Sequence, residues 1–147
     1  MQLLSSSEWQ EQPWANGRGT TREIARWPAT GDYDVRASLA DVTADGPFSQ
    51  FPGYRRWSFL ADAGPIALGA IELVALGDHV ELPGDAAIDA VLRAGPTKLL
   101  NVIARPGTVV GYGPTAHPVR FVFHLRDHRA HLGPPTRVDT TGSVWIA

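Results

Sequence analysis

Two segments carry most of the chemistry in this chain: Trp14-Ala-Asn-Gly-Arg-Gly-Thr-Thr-Arg-Glu-Ile24 and Asp45-Gly-Pro-Phe-Ser-Gln-Phe-Pro-Gly53. Both set glycine or proline among polar groups and border them with large aromatics. A chain that only has to turn needs no such density of Asn, Thr, Arg and Glu, so the pair suits rigid loops that present polar groups to a small molecule. In the first segment, Asn16 with Arg22 or Glu23 would face a ligand at a pocket mouth. The alternative is a tight loop in which Asn16 and Thr20 bond backbone. The Walker and dinucleotide spacings are both absent, so this is not a phosphate loop.

Three further positions extend the polar set. In Tyr33-Asp-Val-Arg-Ala-Ser-Leu39, strict alternation puts Arg36 and Ser38 on one strand face and Tyr33, Val35, Ala37 and Leu39 on the other. A polar stripe of this kind faces either water or the cavity of a ligand-binding barrel. Inside a cavity an arginine can hold a carboxylate through two parallel hydrogen bonds. Arg56 follows the Phe51-Pro-Gly53 turn and competes for that role. Arg55 points the other way in an extended segment, with Trp57 and Phe59. Asn101 is the one polar residue of Leu99-Leu-Asn-Val-Ile-Ala104, and it must bond either neighbouring backbone or a ligand.

Other chemistry is poorly supported. His124, His128 and His131 would share a helix face, but residues 119–125 read as a strand and 126–129 as an exposed turn, so surface histidines are expected. His79 and His117 are isolated, and His79-Val-Glu81 is only a fragment of the cupin metal motif. No metal and no cofactor is expected. There is no nucleophile elbow and no cysteine, and no catalytic residue is assigned.

The elements that must position these groups are mainly strands. Fifteen glycines and twelve prolines in 147 residues punctuate short apolar runs at 66–68, 71–76, 87–92, 98–104, 108–110, 119–125 and 143–146. Turn signals every eight to twelve residues predict an antiparallel sandwich or barrel. Helix is expected only near residues 5–10, where Ser5 and Glu8 can form a capping box. One domain over residues 1–147 is expected. A weak echo in Gly77-Asp-x-Val80-x-Leu-Pro-Gly84 allows a doubled barrel. The formal net charge of −2 offers no footprint for nucleic acid or an anionic membrane. The start of the chain lacks a signal-peptide pattern and no apolar run approaches a membrane span, so a soluble cytoplasmic protein is expected.

The motifs resemble the HutD/Ves family. The matching pattern is Trp14-x-Asn-Gly-x-Gly-Thr-Thr-Arg-Glu-Ile24, Arg36-x-Ser38-x-Ala40-x-Val42, Asp45-Gly-Pro-Phe-Ser-x-Phe-Pro-Gly53 and Arg56, with weaker matches at Pro83-Gly-Asp85 and Leu100-Asn101-Val102. The resemblance implies an all-β, cupin-like (double-stranded β-helix) antiparallel barrel without a catalytic metal. It also implies a non-enzymatic role in histidine utilisation, binding an intermediate such as formylglutamate or urocanate and moderating flux. The ligand-binding residues carried over are Asn16, Arg36, Ser38, Arg56 and Asn101. Three positions depart from the pattern: Arg18 replaces a glycine, while Arg55 and Leu99 each replace an aspartate. A metal-independent isomerase or epimerase using His79, His117 or Glu23 as base is the alternative function, and a barrel binding only a protein partner is a third. A homodimer is compatible with each.

Overall fold

The computed structural model describes Met1–Ala147. Its strands are β1 (Gln2–Leu4), β2 (Gln10–Pro13), β3 (Gly19–Trp27), β4 (Val35–Val42), β5 (Gly46–Pro47), β6 (Arg55–Leu60), β7 (Ile66–Leu68) and β8 (Ile71–Leu73). They continue as β9 (His79–Pro83), β10 (Asp89–Leu92), β11 (Thr97–Ala104), β12 (Val110–Tyr112), β13 (Val119–His124), β14 (Arg129–Thr136) and β15 (Ser143–Ile146). The one helical element is a 3₁₀ turn at Ser6–Glu8, which has no side-chain cap; Ser5 Oγ pairs with Ser7 Oγ instead.

Three antiparallel sheets form the cupin-like fold, and none closes on itself. The largest has the order β2-β3-β4-β11-β6-β9, the second β1-β14-β13-β15-β12, and the smallest β5-β10-β7-β8. The period-two alternation of the central strands decides what each sheet packs against. Val35, Ala37 and Leu39 of β4, Trp57 and Phe59 of β6, and Leu100, Val102 and Ala104 of β11 point one way. They meet Phe121, Phe123, Ala130, Val144 and Ile146 of the second sheet in the main core.

The opposite face of the same three strands is divided along its length. At one end Val42, Leu60 and Leu99 pack under Ile66, Leu68, Leu73 and Ala90 of the smallest sheet. At the other end the face carries Arg36, Ser38, Arg56, Ser58, Asn101 and Ile103, and of the smallest sheet only Pro47, at the end of β5, borders it. Polar residues and one isoleucine replace the apolar pattern where the covering layer stops.

Six strands differ from the sequence expectation. β1, β2, β5 and β9 are short or edge strands with weak apolar patterns. β3 was expected as loop, because Gly19-Thr-Thr-Arg-Glu23 carries no apolar alternation. Its Thr21 and Glu23 share the inward face of Ala40 and Ser38 in the β3–β4 register, so they look across the sheet toward other polar groups rather than toward a core. β14 begins at the expected turn and runs through Gly133-Pro-Pro135. The prolines fall opposite an irregularity in β13 between Val119 and Phe121, where a missing N–H costs no regular ladder bond.

Candidate functional site

Cross-strand register sets the floor of the site. Arg36 of β4 and Arg56 of β6 both lie opposite Ile103 of β11, so Arg36, Ile103 and Arg56 form one row. Ser38, Asn101 and Ser58 form the next row on the same face. With strands about 4.8 Å apart, the two arginine backbones stand about 10 Å apart across β11.

Two segments wall this floor: Gln12–Asn16 from the β2–β3 hairpin on one side and Pro47–Phe51 on the other. The hairpin loop is held by Trp14 N–H to the Gly19 carbonyl (2.9 Å) and by Asn16 Oδ1, which accepts the Arg18 N–H (3.0 Å). Gly17 takes a left-handed φ of 71° at its tip. Gly19 has no room for a side chain, because a Cβ there would overlap the Asp41 carbonyl and the Trp14 ring. Trp14 then donates its indole N–H to Thr21 Oγ1 (2.8 Å) and meets Phe48 edge-on, with centroids 5.7 Å apart. The opposite wall is fixed by Gly84. The Phe51 N–H bonds the Gly84 carbonyl (2.6 Å) and the Gly84 N–H bonds the Tyr54 carbonyl (2.7 Å).

The cavity between these walls, open on one side, has a volume of about 410 Å³, within the usual size for a small-molecule site. All five expected ligand-binding residues, Asn16, Arg36, Ser38, Arg56 and Asn101, line it. Asn16 is exposed at the mouth, whereas Ser38, Arg56 and Asn101 are buried. Asn16 both closes the turn and lines the cavity.

The two arginines differ in state. Arg36 donates from Nε to Glu23 Oε1 at 2.8 Å. Glu23 sits opposite Ser38, diagonal to Arg36 on the same face. Arg56 is only 5% exposed and forms no ion pair. It donates one bond, from a terminal nitrogen to the Ser49 carbonyl (3.1 Å), and its Nε has no partner. Its guanidinium lies 5.4 Å from the Phe48 centroid and 5.2 Å from that of Phe51. Burial lowers its pKa from the usual arginine value to about 10, still fully cationic at neutral pH. Asn101 accepts a 2.6 Å bond from Ser58 Oγ through Oδ1, which commits its carbonyl and leaves its NH₂ to the cavity.

The remaining candidates lie elsewhere. Arg22 packs its guanidinium over Trp9 and pairs with Asp41 (3.6 Å), on the face away from the cavity. Arg55 pairs with Glu81 (3.2 Å), as its outward register requires. The three departures from the family pattern are also absent from the lining. Arg18 bonds the Asp45 carbonyl and lies over Gly46, Arg55 is at the edge of the main-core face, opposite the cavity, and Leu99 is buried in the second core. His79 lies tilted against Phe59 and bonds the Gly77 carbonyl, and His117 lies beside Trp145.

The histidines at 124, 128 and 131 sit on a strand, a turn and the next strand. Contrary to the expected surface placement, they are half-buried. His124 Nδ1 meets Ser143 Oγ (2.7 Å) and His128 Nε2 meets the Ala61 carbonyl (2.8 Å). Sequence reasoning did not single out Gln12, Thr21, Phe48, Ser49 and Phe51, which also line the cavity. For Phe48 and Phe51 the signal was available in the aromatic residues of the second polar segment.

A family model described as HutD matches residues 6–130. Protein Ves of Citrobacter koseri is 37% identical over 98 residues, 63% of this chain and 51% of its own length. The chain thus spans about half the length of that curated relative. The solved structure of HutD from Pseudomonas fluorescens SBW25 superposes with a TM-score of 0.76 at 23% identity, covering 99% of this chain and 95% of that one. A conserved protein of unknown function from Pseudomonas aeruginosa PAO1 superposes with a TM-score of 0.75 at 21% identity, with the same coverage. At these identities the structural likeness speaks for the fold.

Proposed function

Because the chain belongs to the HutD family, we propose that it is a non-enzymatic binding protein for a small carboxylate metabolite that moderates histidine utilisation, with formylglutamate and urocanate as candidate ligands. One observation carries this reading: Arg56 is a buried cation without a carboxylate partner, on the wall of a cavity large enough for a metabolite. A buried charge left unpaired is costly, and an anion that completes its hydrogen bonds recovers part of that cost. Arg56 clamps the carboxylate, and Ser38, the Asn101 amide and Asn16 orient the polar remainder.

Binding is favoured over catalysis by the makeup of the wall. The titratable groups lining it are two arginines, with no histidine or carboxylate to take a proton near neutral pH. Glu23 is engaged by Arg36, and His79 and His117 lie outside. The test is a thermal-shift screen of histidine-pathway intermediates and dicarboxylates, followed by titration calorimetry. Formylglutamate or urocanate should raise the melting temperature of the wild type and not that of Arg56→Ala. Failure of every carboxylate to bind, or equal binding by Arg56→Ala, sinks the reading.

A further inference from the structure

The floor of the cavity holds two arginines but only one uncompensated charge. Arg36 and Arg56 occupy equivalent places on either side of Ile103. A site for two anionic groups would leave both guanidiniums free. Here Glu23 reaches across from β3 and neutralises Arg36 at 2.8 Å, while no carboxylate approaches Arg56. The reach depends on local backbone geometry. A bulge between Glu23 and Ala25 interrupts the β3–β4 register and keeps Glu23 on the cavity side, while Ile24 and Ala25 both enter the main core.

The other groups near Arg36 do not change the balance. Burial raises the pKa of Tyr33, so its phenol stays neutral. Arg26, directly opposite Arg36 in the β3–β4 register, has no carboxylate partner; it turns to the Gly31 carbonyl and the Tyr33 ring and, like Glu23, stands behind the cavity lining. The adjoining row of Ser38, Asn101 and Ser58 is uncharged. One end of the floor therefore offers a free cation, and the rest offers neutral hydrogen-bonding groups and an arginine whose charge Glu23 offsets.

We infer that Glu23 is a specificity-determining residue: by compensating Arg36 it tunes the cavity to a ligand with one carboxylate and a neutral polar remainder, such as an amide, imidazole or hydroxyl, and against a second carboxylate. This rests on the carboxylate-binding reading and narrows it. Of the two intermediates named above, it favours the one with a single carboxylate. A second carboxylate near Arg36 meets a cation whose charge Glu23 already offsets, and the repulsion of that residue's own charge.

The probes are glutarate and its monoamide glutaramate, which match in length and differ by one charge. Titration calorimetry at pH 7 compares wild type, Glu23→Gln and the double variant Glu23→Gln/Arg36→Gln, each checked for a cooperative melt. Wild type should bind glutaramate at least as tightly as glutarate. Glu23→Gln keeps the shape but frees the charge of Arg36, and should move the preference toward glutarate by tenfold or more. The double variant should return the preference toward that of wild type, an outcome a purely structural role for Glu23 does not produce. A wild-type preference for glutarate above tenfold, or a ratio unchanged in Glu23→Gln, overturns this inference and leaves the carboxylate reading standing. No binding of either probe by any of the three proteins overturns both.

Discussion

Replacing Arg56 by methionine separates the stability of the fold from its function, and the two effects should have opposite signs. Lowering an arginine pKa from its usual value to about 10 corresponds to roughly 3 kcal/mol of unfavourable burial at about 1.4 kcal/mol per decade. The sign follows from the protonation states. At pH 7 the group is charged in both folded and unfolded chains, so the whole penalty is present. It fades only as pH rises from about 10 toward the usual arginine value, because the folded chain gives up the proton first. Methionine refills most of the stem volume without the charge. It loses the bond to the Ser49 carbonyl and the contacts with the Phe48 and Phe51 rings, together about 2 kcal/mol. The net is a gain of about 1 kcal/mol, which at this chain length is a rise of about 2–4 °C in melting temperature. Ligand affinity should fall by about 2 kcal/mol or more, roughly 30-fold. Calorimetric melts without ligand and titration calorimetry with the ligand from the screen measure both. A melting temperature lowered by about 3 °C or more would refute the premise that Arg56 is held at a cost to the fold.

Arg55→Ala should leave affinity within about twofold of wild type and cost under about 1 kcal/mol of stability, because its pairing with Glu81 is solvent-exposed; titration calorimetry beside Arg56→Ala makes the comparison. Ser58→Ala removes the donor to the buried Asn101 carbonyl and should destabilise by about 1–3 kcal/mol in urea unfolding. Gly84→Ala places a methyl against the Phe51 and Tyr54 carbonyls. It should cost about 2 kcal/mol or more by overpacking and weaken ligand binding, since the displaced turn carries Phe51 into the cavity wall. His131 is disfavoured as a cation first by burial and then by His124 and Arg129. The unfolded chain therefore takes up that proton first, and stability should fall as pH drops through the normal histidine range; His131→Gln should flatten this dependence in pH-resolved urea melts.

The sequence by itself determined which residues are polar inside the strands that build the site. Alternation along Val35–Leu39 and Arg56–Phe59 requires Arg36 and Ser38, and Arg56 and Ser58, to leave the core face, because successive side chains on a strand point to opposite sides. Asn101 stood out for the same reason, as one amide in an apolar run. The Gly and Pro spacing marked most of the turns. β3 was hidden because period-two reading looks for apolar residues, and the partners of its inward polar side chains are other polar groups. What tertiary structure decided was register and coverage. Only the pairing of β4 and β6 on either side of β11 puts Arg36 and Arg56 in one row and Asn101 beside Ser58. Only the short reach of the smallest sheet leaves that row uncovered instead of sealed like Val42, Leu60 and Leu99. The unequal charge of two chemically identical arginines is likewise a tertiary fact. It depends on a bulge that brings Glu23 from another strand to Arg36 and on the aromatic walls that bury Arg56. Local sequence sets which way a side chain points, but the distances that create an ion pair or withhold one are set between strands far apart in the chain.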